Sequence, residues 1–419
     1  MTTLIEQLAA AKGIASEYVD AWGHPAQVSE ESKAAMLGAM GYRVDDEAAL
    51  TEQLEQEHRQ HWLRPLDPVM VVRSGDPISL EVRLPIEFVN DALHWQIVLE
   101  QGALLSGQLT PIEGELVGVA EFEEMECQAY RVALDVQPEL GYHQLVLLEE
   151  GNDEPLATMR LIVAPKSCYK QAPIANGRKV WGPSVQLYCL RSRHNWGIGD
   201  FSDLGQLVEK AAAWGAHFVG LNPIHALYPA NPESASPYSP SSRRWLNLAY
   251  INVEAVPEFL ANERLKADVA SPAFQQHLAS LRAKENVDYT GVIETKIGML
   301  RQVFDEARLS AERQAAFDAF VAAGGDSLQQ QAAFDALQAH FYGKGENAWG
   351  WPVWPDAFRD YHNPAVAAWM QDHSQDVSFY LYLQFLADEQ LAQADARAKA
   401  AGMVMGIYRD LAVGVSEGS

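Results

Sequence analysis

Apolar positions along this chain change period twice, and each change marks a new kind of element. In residues 1–62, Leu4, Leu8, Ile14 and Tyr18 recur near helical spacing, and a second segment starts at Ser29, a good N-cap, and stops before Gly41. The pattern predicts a small helical lead-in. Beyond Pro65 the period drops to two: Leu80, Val82 and Leu84 alternate with other residues, as do Trp95, Ile97 and Leu99, and Tyr130, Val132, Leu134 and Val136. Residues 142–148 and 159–163 complete at least five short strands, separated by turn formers such as Ser74-Gly75-Asp76-Pro77 and Gly151-Asn152-Asp153. A β-sandwich over 65–165 is expected, with a Pro-, Lys- and Gly-containing linker over 165–177.

From residue 176 the order becomes strand, helix, strand. Residues 180–190 carry β-formers, Gly197 and Gly199 suit a loop, and Leu204, Leu207, Val208, Ala211 and Ala212 fall on one face of a helix over 201–214. Gly215 fits the helix stop, and residues 217–221 form a short strand closed by Asn222-Pro223. A βαβ unit holds its strands parallel, and ligands in such folds bind beyond the strands' carboxyl ends. The loops 191–200 and 222–244 are therefore expected on the working face. Residues 250–400 are mostly helical in pattern and too long for a plain crossover, which predicts a helical insertion over about 255–400. A third strand over 403–408 leads into Arg409-Asp410 and the apolar stretch 411–415. The fold class expected is α/β: a helical segment and β-sandwich, then a parallel-stranded unit bearing a helical insertion.

Charge narrows what such a chain binds. The 419 residues carry 31 Lys and Arg against 56 Asp and Glu, a net charge of −25, which disfavours an electrostatic grip on nucleic-acid phosphates or an anionic membrane. A neutral small molecule suits that surface better, and neither nucleic acid nor membrane is expected as a partner. With 48% hydrophobic and 21% charged residues, the composition is ordinary for a globular protein, long enough for roughly two to three domains. Cys127, Cys168 and Cys189 are widely spaced with no CxxC pair, which fits reduced thiols in a cytoplasm. The start, MTTLIEQLAAAKGI, lacks the blocks of a secretory leader, and no run approaches the ~18 apolar residues of a membrane span, so a cytoplasmic location is expected.

Several motifs compete for the site. Gly197 and Gly199 invite a dinucleotide reading, but position 202 is serine, so GxGxxG fails, and GxxxxGK[ST] occurs nowhere. Trp181, Trp196, Trp214 and Trp245, with Trp349, Trp351 and Trp354 close together, offer rings that stack on the C–H faces of sugars. Core packing is the plainer account of any one of them, and only the cluster points to carbohydrate. Asp200 and Asp203 flank a helix start and read as caps. His194 could hold a hydroxyl or face solvent, and no metal is inferred from it. Five prolines from Pro223 to Pro240 stiffen the loop ending Ser236-Pro237-Tyr238-Ser239-Pro240, which would hold Tyr238 in place. Asp410, just after an apolar strand, stands where barrel enzymes put reacting or binding groups, or else caps a turn.

The blocks WGPSVQLYCLRSRHNWGIGDFSDL, GAHFVGLNPIHALYP, SASPYSPSSRRWLNLAYINVE and GIYRDLAVGVSEGS, in that order, resemble the 4-α-glucanotransferases (amylomaltases, or disproportionating enzymes) of glycoside hydrolase family 77. The lead-in and sandwich resemble the N-terminal extension of the enterobacterial members. The resemblance implies a (β/α)8 TIM barrel, incomplete here and holding roughly strands one to three. It further implies cytoplasmic maltodextrin metabolism, with retaining transfer of α-1,4-glucan segments between malto-oligosaccharides or to glucose. No cofactor and no metal are implied. By the same resemblance Tyr238 stacks on the sugar next to the cleaved bond, Asp410 hydrogen-bonds that sugar's hydroxyls, and Ser236 belongs to the same substrate-binding block.

Retaining transfer needs a carboxylate nucleophile and an acid/base about 5–5.5 Å apart. The resemblance places both, and a third carboxylate, after the GIYRDL block, so no catalytic residue is assigned in this chain and these groups are expected downstream of Ser419. Glu417 lies in no matching motif. The chain then reads as an N-terminal fragment, expected to be inactive alone. The alternative is a non-catalytic glucan-binding or interaction module built on the sandwich, Tyr238 and the Trp349, Trp351 and Trp354 cluster.

Overall fold

A computed structural model of the chain describes residues 3–122, 125–152, 154–345, 349–414 and 416–419, in two units, 1–169 and 170–419. Asp153 of the expected turn and Val415 of the expected apolar stretch lie outside the described residues.

In the first unit, helices α1 (Leu4–Ala11), α2 (Glu30–Ala39) and α3 (Glu47–Trp62) each begin on a capping side chain: Thr3, Ser29 and Asp46 accept backbone N–H groups of the first turn. Tyr18, expected on a helix, lies instead in the hairpin of β1 (Glu17–Val19) and β2 (Pro25–Gln27). Local chemistry explains the difference. Asp20 Oδ1 accepts the N–H groups of Trp22 and His24, and Gly23 turns at φ 84°, so a side chain bonding its own backbone outcompetes the helix.

The sandwich strands are β3 (Val69–Arg73), β4 (Ile78–Pro85), β5 (Leu93–Val98), β6 (Leu104–Leu109), β7 (Glu115–Phe122), β8 (Met125–Leu134), β9 (Gly141–Glu149) and β10 (Pro155–Ala164). They pair as two sheets, β4-β8-β7 and β3-β10-β9-β5-β6. Leu80, Val82, Ile97, Leu145, Leu147 and Leu161 are fully buried, each contributing about 1.5–3 kcal/mol.

The second unit starts with a turn of helix, α4 (Ala172–Ala175), then β11 (Ser184–Val185), α5 (Phe201–Ala213), β12 (Phe218–Leu221) and the antiparallel pair β13 (His225–Ala226) and β14 (Ser242–Leu246). Helices α6 (Pro257–Leu260), α7 (Glu263–Ala270), α8 (Pro272–Arg282), α9 (Tyr289–Glu306), α10 (Ala311–Gly343, broken at Gly325), α11 (Pro364–Asp372) and α12 (Ser374–Ala400) lead to β15 (Gly406–Arg409). The sheet β11-β12-β15 is parallel throughout. Of residues 180–190, expected as one strand, only Ser184 and Val185 pair in the sheet; Asn222 Oδ1 accepts the Leu187 N–H at 2.8 Å and draws the chain into a 3-10 turn.

Leu204, Val208 and Ala211 of α5 face the core as their spacing predicts. Helix α12 packs along α5, and Arg397 grips Glu209 through two bonds of 2.7 Å. Because α12 runs directly into β15, it is the crossover helix of the second βαβ unit, although it falls within the stretch expected as insertion.

Candidate functional site

Strand register builds the site. Val185 pairs with Leu221 and Leu221 with Arg409, so the three strands end level and Asn222 and Asp410 emerge on one rim. The Asp410 N–H donates to the Leu221 carbonyl at 3.2 Å, fixing the residue to the sheet. Its Oδ1 accepts the N–H of Leu411 at 2.8 Å, and its Oδ2 accepts the hydroxyl of Tyr238 at 3.3 Å. The fold thereby joins two residues 172 positions apart. Tyr238 is 58% exposed, and Asp410 is exposed as well. A flat ring beside a carboxylate, both open to water, presents an apolar face for C–H groups and acceptors for hydroxyls.

Ser236 sits in the same turn as Tyr238: its carbonyl accepts the Ser239 N–H at 3.1 Å. Its side chain is exposed and bonded to no other described residue, so the structure brings Tyr238 and Asp410 together but leaves Ser236 beside them without a bond to either.

Two further residues hold the rim, and reading the sequence singled out neither. His225 Nε2 accepts the Ala412 N–H at 3.2 Å, and Arg243 donates to the Val413 carbonyl at 3.1 Å, so the β13–β14 hairpin clamps the segment that follows Asp410. Burial holds His225 below the usual imidazole range, and Arg409 and Arg243 push the same way against the opposing pull of Asp410. A neutral ring is what an accepting Nε2 requires. The available signal was a histidine in NPIHALYP, on a loop expected at the working face.

Several of the other motifs make capping or packing contacts. Asp200 and Asp203 form a capping box on α5, with Asn195 donating to Asp203 at 2.9 Å. Burial raises Asp200 to about 6 and lowers Lys296 to about 8; Lys296 donates to the carbonyls of Ala249 and Ile251 at 2.6 and 2.8 Å. A Cβ at Gly199 would collide with the Leu187 carbonyl, so this glycine serves a close backbone approach. His194 is exposed, with its backbone N–H on Ser192 Oγ. Trp196 is buried and donates to Glu254, Trp245 donates to Ser327, and Trp354 is buried against Phe334. Trp181 precedes β11 and Trp214 caps the end of α5, both at the amino ends of the strands and away from the rim.

Comparison with known proteins agrees with this architecture. Residues 185–419 match the glycoside hydrolase family 77 model, described as 4-alpha-glucanotransferase, and residues 65–165 match the MalQ N-terminal beta sandwich domain. The chain is 38% identical to a 4-alpha-glucanotransferase of Haemophilus influenzae, over 67% of this chain and 40% of that protein. It is 35% identical to one from Mycobacterium tuberculosis, over 98% of this chain and 55% of that protein. The crystal structure of amylomaltase from Corynebacterium glutamicum superposes with a TM-score of 0.80 at 30% identity, covering 98% of this chain and 55% of the other. The chain thus spans about half the length of the relatives it matches, at 40–55%. With more than half of its residues matched by the family model and its parallel strands ending at the Tyr238–Asp410 rim, the chain belongs to the 4-alpha-glucanotransferases of glycoside hydrolase family 77.

Proposed function

We propose that Tyr238 and Asp410 bind one glucose unit of a malto-oligosaccharide, as part of a cytoplasmic enzyme that transfers α-1,4-glucan segments between malto-oligosaccharides or to glucose. The observation that carries this reading is the Tyr238–Asp410 pair at the carboxyl rim of the parallel strands. Its physics suits an uncharged ligand. The ring covers the sugar's C–H face while the carboxylate accepts two hydroxyl protons, an arrangement that charge-assisted hydrogen bonds make specific. Ser236, exposed in the same turn, borders the bound sugar. His225 and Arg243 keep Asp410 in place by holding the backbone behind it. The nucleophile and acid/base of a retaining transfer are proposed to lie outside residues 1–419.

Calorimetric titration with maltotriose tests the binding step. Tyr238→Ala and Asp410→Asn are each expected to weaken the rim site at least tenfold, about 1.4 kcal/mol, and unchanged affinity in both would contradict the assignment. Glucose release and longer dextrins from maltotriose report the transfer step. A polypeptide extended to the relatives' length is expected to yield both products and the 419-residue chain neither. Transfer by the 419-residue chain would overturn the placing of the reacting carboxylates outside it.

A further inference from the structure

The clamp on the chain behind Asp410 passes through a group that titrates. His225 Nε2 accepts the Ala412 N–H at 3.2 Å, and a backbone N–H can only donate, so the bond exists only while Nε2 carries no proton. A ring protonated at both nitrogens donates on both sides and turns one N–H toward another. The bond is then lost and the Ala412 N–H is left without its acceptor. His225 is partly exposed, so the proton arrives from solvent.

The surroundings decide which side of the clamp gives way. In the β13–β14 pair His225 lies opposite Leu246, whose N–H and carbonyl are both bound by the Gln384 side chain of α12, at 3.0 and 2.9 Å. The hairpin is therefore anchored from behind. The segment 411–413 meets it through the Ala412 N–H and through the Val413 carbonyl, which Arg243 holds at 3.1 Å. Losing the first bond leaves Arg243 to hold the segment, and Asp410 is tied to that same chain through the Leu411 N–H on its Oδ1. Burial, Arg409 on β15 and Arg243 on β14 oppose a proton on His225, while Asp410 and the Arg243 backbone favour one, and the balance holds the ring below the usual imidazole range. The clamp is thus closed at neutral pH, and acid opens it.

We propose that His225 is a proton-gated positioning residue: neutral, it pins the chain behind Asp410 and keeps the rim formed, and protonated, it releases that chain so that the rim loses its hold on the sugar. The effect on sugar rests on the binding reading above. The gate itself does not, because the His225–Ala412 bond belongs to the chain alone. A rim formed in only a third of the molecules binds about threefold more weakly, which sets the scale of the expected effect.

Two readouts on the 419-residue chain separate the gate from the sugar. Hydrogen exchange read by mass spectrometry, corrected for the intrinsic pH dependence of exchange, follows the 411–413 backbone without any ligand. Its protection is expected to fall at least threefold from pH 7.5 to pH 5 in the wild type and to stay level in His225→Gln, whose amide oxygen accepts an N–H at either pH. Calorimetry with maltotriose is expected to show the wild-type affinity falling at least threefold over the same interval and the His225→Gln affinity changing less. The lower limit is pH 5 because carboxylates ordinarily titrate near about 4. Arg409→Gln removes a charge that opposes the proton and is expected to move both wild-type transitions to higher pH, a shift that a merely structural histidine would not give. Equal pH responses of wild type and His225→Gln in exchange overturn the gate. Exchange that responds while the wild-type affinity does not overturns the link from clamp to sugar. A wild-type chain that binds no maltotriose at pH 7.5 overturns the rim assignment and the sugar half of the proposal, and exchange alone then decides the clamp.

Discussion

Burial pushes the Asp335 carboxyl toward its protonated form. It lies wholly inside the second unit on α10, where burial raises it to about 8 against the single opposing hydrogen bond from Gln331 Nε2 at 3.1 Å. In the unfolded chain the same group titrates near its ordinary value of 3.8. Between those values the folded state holds a proton that the unfolded state has lost, so stability falls as pH rises through that window, by up to about 1.4 kcal/mol per unit. Asp335→Asn keeps the shape and removes the titration. Urea unfolding at pH 5 and pH 8 is expected to show the wild type losing ~2 kcal/mol or more relative to the variant, and parallel pH curves would contradict it. Such residues are hard to see in a sequence, because burial is a property of the packed helix and not of the letter. The position of Asp410 was legible for the opposite reason: it lies at the end of a strand, which local pattern reveals, while its proposed role came with the resemblance. Tyr238 and Trp354 mark the two sides of that divide. A Pro-flanked loop announced the first, whereas the isolated burial of the second was hidden inside a run of tryptophans that reads as one sugar-binding cluster.

At the scale of elements, the two ends of α5 separate two uses of glycine. Gly215 closes the helix at φ 84° with nothing within 4 Å of the place a methyl group would occupy, so Gly215→Ala meets only left-handed strain, about 1–2 kcal/mol. Gly199→Ala drives a Cβ into the Leu187 carbonyl and is expected to cost ~3 kcal/mol or more, the upper range of overpacking. Asp200→Ala, which strips the cap, should fall between them at about 1–2 kcal/mol plus the exposure of Lys296 to an uncompensated site. Equal costs for the two glycine variants in urea unfolding would contradict this ordering. The same elements mark where pattern reading succeeds. Helix α5 lies within a residue of its expected span, and the alternating strands of the sandwich follow their period, because one face of each is buried and the other wet. Pattern reading failed where a side chain bonds its own backbone, as at Asp20, or where a distant residue redirects the chain, as Asn222 does at Leu187. It also could not tell crossover from insertion, since α12 differs from its helical neighbours only in packing on α5.

At the scale of the whole molecule, a net charge of −25 and a rim built from one aromatic ring and one carboxylate suit the proposed recognition of an uncharged ligand by shape and hydrogen bonds. Among the described residues no helix is long and apolar enough to cross a membrane. The two hydrophobic cores of the sandwich and of the parallel-stranded unit are separate clusters, so the rim is shaped by the second unit's own packing. An uncharged sugar releases no counterions on binding, and its affinity should hold from low to high salt, where a phosphate-bearing ligand would weaken steeply. Saturation-transfer NMR of maltotriose with the 419-residue chain tests the central claim most directly. The account predicts strong saturation of the sugar's C–H protons, independent of salt and sharply reduced in the Tyr238→Ala variant; saturation undiminished by Tyr238→Ala and Asp410→Asn alike would contradict it.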